Sequence, residues 1–373
     1  MRNITKKVKG ASHNKGSLNE KDREQIYENI EGILNKVLPI VLTQKEKELI
    51  RNIYQETQHL NENNVTRTSA YLSFFNKHPE VHWSFLAHMV SRNGGYNMTD
   101  LKGTLLNPFL TEKDQLTLFQ FLEKANALIF HDAYPQLLLY KASKKEQMSL
   151  FHLLPTFNVS RFMIPIWEYF FKCNESTLLT HALITNEQQY IEKHLMTLPF
   201  IKNNVLKSFS YILQEKLGFT HVIFPYKRYP FLPKYSLAGI EVHNFTSVKQ
   251  RIDLGKNLYN ILYTNNRFDA FHEFSRNHPH TGSRTDYWAH IFSENKLDSR
   301  RLNSPSLKKT WANVTHEFNI KQDWFKQVSQ IENFDLVSEY RFQDITKEVT
   351  KDINILKTLG KIKEISPLHT EKG

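Results

Sequence analysis

One stretch of the chain, Arg267 to Trp288, concentrates the side chains that could take part in chemistry. It reads RFDAFHEFSRNHPHTGSRTDYW, so histidines, arginines and carboxylates alternate with aromatic residues. A residue before proline is driven into extended backbone, and side chains two apart in extended backbone point the same way. His278 and His280 therefore point to the same side, and in a catalytic pocket either one would be the natural general base, with Asp286 to orient it. The sequence predicts these three as the catalytic residues.

The same His-x-His pair gives a competing interpretation, in which His278 and His280 bind one metal ion. Asp286, Asp269 or Glu273 would then supply the carboxylate. The HExxH pattern of zinc-binding helices is absent, and a single cysteine in the chain excludes a cysteine-based zinc site. We therefore expect no metal, and His278 and His280 are the ligands if one is bound. The sequence indicates no particular cofactor.

Arginines beside hydroxyl groups indicate a third chemistry, the binding of an anion. The segment 281–285, TGSRT, places flexible backbone and hydroxyls next to a guanidinium, which suits phosphate or carboxylate oxygens. A second stretch, 63–103, contains similar strings, because TRT at 66–68 is close to SRT at 283–285. We expect both stretches to form one pocket. The residues predicted to bind the anion are Arg67, Thr68, His88, Arg92, Asn93, Arg276, Asn277, Ser283 and Arg284.

These two stretches resemble the YppC-like family of Bacillus-type bacteria. The likeness lies in TRTSAY at 66–71, HWSFLAHMVSRNGGYNMTDLKG at 82–103 and FHEFSRNHPHTGSRTDYW at 271–288. It extends over most of residues 45–325 and leaves out both ends of the chain. The resemblance implies a soluble bacterial protein and carries no established activity, cofactor or catalytic residue. It therefore assigns no functional role to any residue here.

The elements that must position these residues are predicted to be helices. Apolar residues recur at helical spacing through 17–61, and Pro79 is expected in the first turn of a helix that ends at Gly94-Gly95. Further helices are expected over 111–131, 134–146, 158–173, 186–197, 201–216, 248–262 and 306–330. The segment 217–244 contains prolines and glycines and predicts a loop with one short strand at His221–Phe224. The predicted fold class is all-α, a multi-helix globular domain with this one irregular segment.

The ends of the chain differ from its middle in charge. Residues 1–16 carry five positive charges and no acid, within a net charge of +11, which predicts a disordered basic tail. The α-helical domain is expected over 17–330, and 17–216 and 245–330 are its candidate lobes. The remainder, 331–373, is rich in charge and is expected to form a C-terminal helix or tail.

Composition and charge leave two classes of function. One cysteine allows no disulfide within the chain, and no apolar stretch is long enough to span a bilayer, so a cytoplasmic protein is expected. The leading hypothesis is a pocket rich in His, Arg and Asn that binds a phosphate- or carboxylate-bearing ligand, with hydrolysis as its candidate reaction. The alternative is a non-enzymatic helical interaction protein, contacting nucleic acid or an acidic partner through the basic tail and Lys227–Tyr229. The oligomeric state is left open.

Overall fold

A computed structural model confirms a mainly helical protein and describes residues 19–34, 41–198, 221–229, 234–242, 246–318, 320, 322–336 and 340–365. Its α-helices are α1 (Glu20–Leu34), α2 (Gln44–Leu60), α3 (Asn64–Phe75), α4 (His82–Asp100), α5 (Glu112–Glu146), α6 (Met163–Cys173), α7 (Ser176–Ile191), α8 (Val248–Tyr263), α9 (Phe268–Asn277), α10 (Thr285–Trp288), α11 (Leu307–Thr310) and α12 (Thr346–Ile365). The predicted basic tail, 1–16, and the helix predicted over 201–216 lie outside the described residues.

Two small sheets accompany the helices. Strands β1 (His221–Tyr226) and β2 (Ser236–Glu241) pair antiparallel, whereas β3 (Phe292–Ser293) and β4 (Leu302–Asn303) pair parallel. The predicted strand at His221–Phe224 is confirmed. Its partner β2 was expected to be loop, because the sequence offers no obvious hairpin turn between the two runs.

Helix α4 is the element against which most of the site is built. It packs against α3, α5, α7, α8 and β1. Large apolar residues such as Trp83, Phe85 and Met89 are buried on it, and so are His88 and Arg92. A helix buried on nearly all sides must satisfy its polar side chains inside the protein. This requirement shapes the segments that surround α4.

The prediction that α4 ends at Gly94-Gly95 is wrong, because the helix continues to Asp100. A Cβ atom at Gly95 would overlap Asn64 Oδ1 and the imidazole of His280. The glycine is therefore needed for the close approach of two other segments to the helix. It does not provide the left-handed backbone of a helix end. Pro79 lies in the turn before α4 and not in its first turn.

Two other helix predictions are corrected by packing. The helices expected over 111–131 and 134–146 form the single helix α5, which keeps Pro135 buried in its interior. The helix expected over 306–330 is limited to α11 and a 3-10 turn at Val328–Ile331. Between them Trp311 stacks on Phe119 of α5, with ring centroids 4.1 Å apart. The chain there runs across α5 as irregular structure, so aromatic contacts outweigh the local helical pattern.

Helix α12 belongs to the segment predicted as a charged C-terminal helix or tail. It packs against β2 and against a 3-10 turn at Asn107–Phe109. Among the helices that the structure describes, including the long α5, none combines the length and the apolar character needed to cross a membrane.

We predict that Gly95→Ala destabilises the protein by more than an ordinary glycine substitution would. The added methyl group would force apart Asn64 and His280, which are both buried. Overpacking of this kind costs about 1–3 kcal/mol in the free energy of unfolding, measured by urea denaturation. Gly32→Ala in α1 is the control, because nothing lies within 4 Å of its added Cβ. It should stabilise the helix by up to about 1 kcal/mol. Equal effects at both positions would contradict the packing account.

Candidate functional site

The two polar stretches meet around the carboxylate of Asp286. It accepts hydrogen bonds from Arg92 Nη2 at 3.3 Å, Tyr96 Oη at 3.2 Å and the Thr281 backbone N–H at 3.1 Å. The Thr281 hydroxyl donates to its other oxygen at 2.6 Å, and His280 Nδ1 lies 3.3 Å away. Asp286, in the first turn of α10, is thus held by residues of α4 and of the loop that precedes α10. We call Asn64, Ser91, Arg92, Tyr96, His280, Thr281 and Asp286 the polar network.

His280 joins α3 to this carboxylate. Its Nε2 lies 2.9 Å from Asn64 Oδ1, and the Asn64 amide nitrogen donates to the Ser91 carbonyl at 2.8 Å. That second bond fixes the orientation of the amide, so His280 Nε2–H is the donor to Asn64. Burial, assisted by the charge of Arg92, lowers the pKa of His280 although Asp286 opposes this shift. Nδ1 faces the Asp286 carboxylate and has no hydrogen-bond partner among the described residues.

Arg92 is almost completely buried, and protein groups take up its guanidinium. Nη1 donates to the His278 carbonyl at 2.7 Å and Nε to Tyr96 Oη at 3.1 Å, in addition to the bond with Asp286. The guanidinium carbon lies 4.6 Å from the centre of the Phe274 ring, a cation–π contact. Burial raises the pKa of Asp286, but the neighbouring His280, the charge of Arg92 and the hydrogen bond from Thr281 outweigh it, so this pKa lies below its ordinary value.

The other two buried arginines predicted to bind an anion also have carboxylate partners. Arg284 Nε lies 3.0 and 2.8 Å from the two oxygens of Asp100, and its Nη2 lies 2.7 Å from Oδ2. Arg67 Nη2 lies 2.6 Å from Glu123 Oε1. All four side chains are buried. An anionic ligand would have to displace a carboxylate from a buried ion pair, which is strongly unfavourable.

Four more of the predicted ligand-binding residues are held by local bonds. Thr68 Oγ1 lies 2.6 Å from the Ser91 hydroxyl, and His88 Nδ1–H donates to the Thr68 carbonyl at 2.8 Å. Ser283 Oγ–H donates to the Ser304 carbonyl at 2.5 Å. Asn93 pairs with the backbone of Ile223 in β1, accepting at 2.8 Å and donating at 2.7 Å. The Asn93 amide thus continues the edge of the small sheet.

The remaining predicted residues do not come together. Arg276 and Asn277 are exposed at the end of α9. The ring of His278 lies against Tyr235, with the hydroxyl 3.2 Å from Nε2, whereas His280 faces Asn64 and Asp286. Within the described residues no three His, Cys, Asp or Glu side chains are grouped so that they could hold a metal ion. The arrangement therefore gives no support to the pair His278 and His280 as ligands of one metal.

The polar network has the parts of a catalytic pair but little access for a substrate. His280 lies beside Asp286, as a base lies beside its orienting carboxylate, but no hydrogen bond joins its Nδ1 to that carboxylate. His280 is only 6% exposed, however, and its second nitrogen is used by Asn64. A general base must reach the proton that it removes. The geometry favours a role for the network in fixing α3, α4 and α10 relative to one another.

A cavity of about 250 Å³ lies on the opposite side of α4, between α4, α5, α7, α8 and β1. Helix α4 lines it with positions 87, 90, 94 and 97, and α5 with positions 122, 125, 126 and 129. Both sets have the spacing of one helix face. Ala87 and Ala125 are among these residues, and their small side chains leave the space open. This site was not predicted from the sequence, although small residues repeated on one helix face were a signal for it.

The wall of the cavity contains hydrogen-bonding groups. Glu187 of α7 lines the cavity and accepts hydrogen bonds from Gln188 Nε2 at 3.0 Å and from the Trp83 indole. Tyr71 and Trp83 also line it. Burial raises the pKa of Glu187 to about 7. A carboxyl group with this pKa in a largely apolar cavity is a candidate for ligand recognition.

The fold and the site define a mainly helical protein with a charge-paired polar network on one side of α4 and a cavity on the other. The family described as "Protein of unknown function (DUF2515)" matches residues 59–357. The chain is also similar to "Uncharacterized protein YppC" of Bacillus subtilis (strain 168), with 40% identity over 280 residues, 75% of this chain and 84% of that protein. No solved structure matches the chain. The chain therefore belongs to this family, as the sequence resemblance predicted.

We predict that breaking the Arg92–Asp286 pair strongly destabilises the protein. Arg92→Met or Asp286→Leu alone leaves one buried charge uncompensated, which costs about 3–5 kcal/mol in the free energy of unfolding. The double variant should lose much less than the sum of the two, as measured by urea denaturation. Arg301→Met with Asp298→Leu is the surface control, since the Arg301 side chain is 40% exposed. Strictly additive losses at Arg92 and Asp286 would contradict the pairing.

The buried histidine His88 predicts a pH dependence of stability. Burial, assisted by the charge of Arg92, lowers its pKa well below the ordinary value, so folding favours the neutral ring. Its contribution is fully present above the unfolded pKa of about 6.5 and is lost as the pH falls below that value. The free energy of unfolding should fall by up to about 1.4 kcal/mol per pH unit for this group. His88→Gln should remove that slope between pH 7 and 5.5, and an unchanged slope would rule out this assignment.

Proposed function

We propose that this protein binds a small, mostly apolar molecule in the cavity between α4, α5, α7 and α8. The observation that carries the proposal is the cavity itself, whose lining includes the small side chains of Ala87 and Ala125. A larger side chain at either position would take up part of the space. Ligand sites in proteins are concave and mainly apolar, with a few polar groups that orient the ligand. Glu187, Asn97 and Asn126 are such groups here.

The cavity also explains why α4 needs to be held firmly. Asn93 fastens it to β1, and Arg92 fastens it to the segment that leads into α10. Rigid helices supported by a second layer of hydrogen bonds hold a binding site more precisely than loops do. The polar network is then the support for the cavity and need not contact the ligand.

We favour the cavity over the anion-binding pocket and hydrolase expected from the sequence. Arg67, Arg92 and Arg284 all pair with buried carboxylates, so an anion at these sites would compete with an internal partner. In the cavity Arg251 pairs with Glu192 at 2.7 Å. The Glu187 carboxylate would repel an anionic group that entered it.

The alternative of a non-enzymatic interaction protein depends on basic residues outside the cavity. Residues 1–16 lie outside the described residues. Near β1, Arg228 lies over the ring of Tyr229 at 5.6 Å, and Tyr229 is 46% exposed. A single stacked pair supports nucleic-acid binding less than the cavity supports a small ligand.

We predict that 1-octanol, a neutral apolar probe, binds the protein with saturable one-to-one stoichiometry in calorimetric titration. Ala87→Phe should weaken this binding by about tenfold or more, because the added ring occupies the cavity (about 1.4 kcal/mol corresponds to tenfold). Ala142→Phe is the matched control, since Ala142 is a partly buried alanine of α5 outside the cavity. It should bind 1-octanol like the wild type. Binding that survives Ala87→Phe in a folded protein would overturn the proposal.

A further inference from the structure

The buried charges of this protein are balanced in one region and unbalanced in another. The buried arginines of the polar network and its surroundings each have a carboxylate within ion-pair distance. By contrast, Glu187, which lines the cavity, and the buried Asp132, which does not, have no Lys, Arg or His in ion-pair distance among the residues that the structure describes. Charged carboxylates buried without a cation are costly, and protonation or an added cation relieves that cost.

The carboxyl group of Asp132 receives hydrogen bonds from the protein on one of its two oxygens. Its Oδ2 accepts from Gln136 Nε2 at 2.9 Å and from Asn186 Nδ2 at 2.5 Å. Its Oδ1 is buried and has no hydrogen-bond partner in the described part of the chain. Burial, to which the charge of Glu187 adds, raises the pKa of Asp132 to about 8. Burial thus favours the protonated form of Asp132, and Glu187 is the carboxyl group of the two that lines the cavity.

The hydroxyl group of Tyr71 is a second polar group at the cavity wall. Tyr71 lines the cavity and is only 3% exposed, and its hydroxyl has no hydrogen-bond partner among the described residues. The charge of Glu187 raises the pKa of Tyr71 in addition to burial, so the hydroxyl lies within the electrostatic reach of that carboxylate. A buried polar group left unpaired destabilises the protein, and a ligand group could satisfy it.

The other charged groups around Glu187 do not neutralise it. Arg251 of α8 is paired with Glu192, and its Nε donates to Gln188 Oε1 at 3.0 Å. His221 of β1 lines the cavity and has its Nδ1 3.8 Å from Asp352. The cavity wall therefore presents the Glu187 carboxyl group and the Tyr71 hydroxyl group to a largely apolar space.

We propose that the ligand is an apolar amine, whose ammonium group pairs with the Glu187 carboxylate while its hydrocarbon part fills the cavity. This inference rests on the proposed function. The ammonium would supply the cation that Glu187 lacks, and the Tyr71 hydroxyl would provide a second oxygen near the ammonium. Trp83 and the small residues of α4 would contact the hydrocarbon.

The ionisation of Glu187 gives the proposal a pH signature. Burial raises its pKa to about 7, so folding favours the protonated form. Its contribution to stability is fully present below the unfolded pKa and is lost as the pH rises through about 7. An ammonium ligand needs the ionised carboxylate. Its affinity should therefore increase from pH 6 to pH 8, whereas the affinity of a neutral ligand should not.

Three probes with the same hydrocarbon and different head groups test the proposal: octylamine, 1-octanol and octanoate. Calorimetric titration of the full chain at pH 8 should give octylamine an affinity about tenfold or more above that of 1-octanol, and octanoate the weakest binding (tenfold corresponds to about 1.4 kcal/mol). Glu187→Gln should remove the advantage of octylamine and its pH dependence. The same variant should leave the affinity for 1-octanol within about threefold, which corresponds to less than 1 kcal/mol.

Two controls separate the site from general effects of charge. Glu146→Gln makes the same change of net charge at an exposed residue of α5 and should leave octylamine binding unchanged. Without any ligand, Glu187→Gln should raise the melting temperature at pH 8, because it removes a partly buried charge that has no cation beside it. A lower melting temperature at pH 8 would mean that a cation of the protein already compensates Glu187, and it would overturn the inference.

The outcomes distinguish the two proposals. If 1-octanol and octylamine bind equally well and Glu187→Gln affects neither, the cavity binds ligands but Glu187 does not select an amine. If none of the three probes binds in a way that Ala87→Phe abolishes, the proposed function itself fails. If octanoate binds most tightly, the inference is overturned and the anionic ligand expected from the sequence gains support.

Discussion

The ion pair between Arg92 and Asp286 is the interaction on which the arrangement around α4 depends. A guanidinium buried to this degree needs a counter-charge and acceptors for its N–H groups. Asp286, the His278 carbonyl and Tyr96 meet that need, and they bring the segment before α10 against α4. His280 can then reach Asn64 only because the adjoining position of α4 is a glycine.

Helix α4 connects this constraint to the proposed function. One of its faces carries Arg92 and Tyr96 into the polar network, and the other presents Ala87 and Gly94 to the cavity. Because the polar network holds the first face and Asn93 bonds the helix to β1, the second face forms a fixed wall. The buried charges of the polar network are paired, whereas Glu187 at the cavity has no cation beside it among the described residues. In this account the polar network supports α4, and the cavity recognises the ligand. Stability lost at an uncompensated carboxyl is a common consequence of keeping a binding site ready for its ligand.

The sequence was sufficient for the fold class, for most long helices and for the convergence of the two polar stretches. Polar residues in such density rarely lie on an unimportant surface, and the strings around Arg92 and Asp286 do meet. Their roles were harder to predict, because Asp100 and Glu123 gave no sign in the sequence that they would pair with Arg284 and Arg67. The continuation of α4 through Gly95 and the irregular course around Trp311 depend on tertiary contacts, which local periodicity does not contain. The cavity was missed because its lining residues come from separate helices, α4, α5, α7 and α8, and from β1.

The ionisation state of Glu187 with and without an amine tests the central claim most directly. The difference infrared spectrum between wild type and Glu187→Gln isolates the carboxyl band of this residue at pH 6. We predict a protonated carboxyl band in the free protein and its conversion to a carboxylate band when octylamine is added. A carboxylate band in the free protein, or a protonated band that octylamine leaves unchanged, would contradict the account.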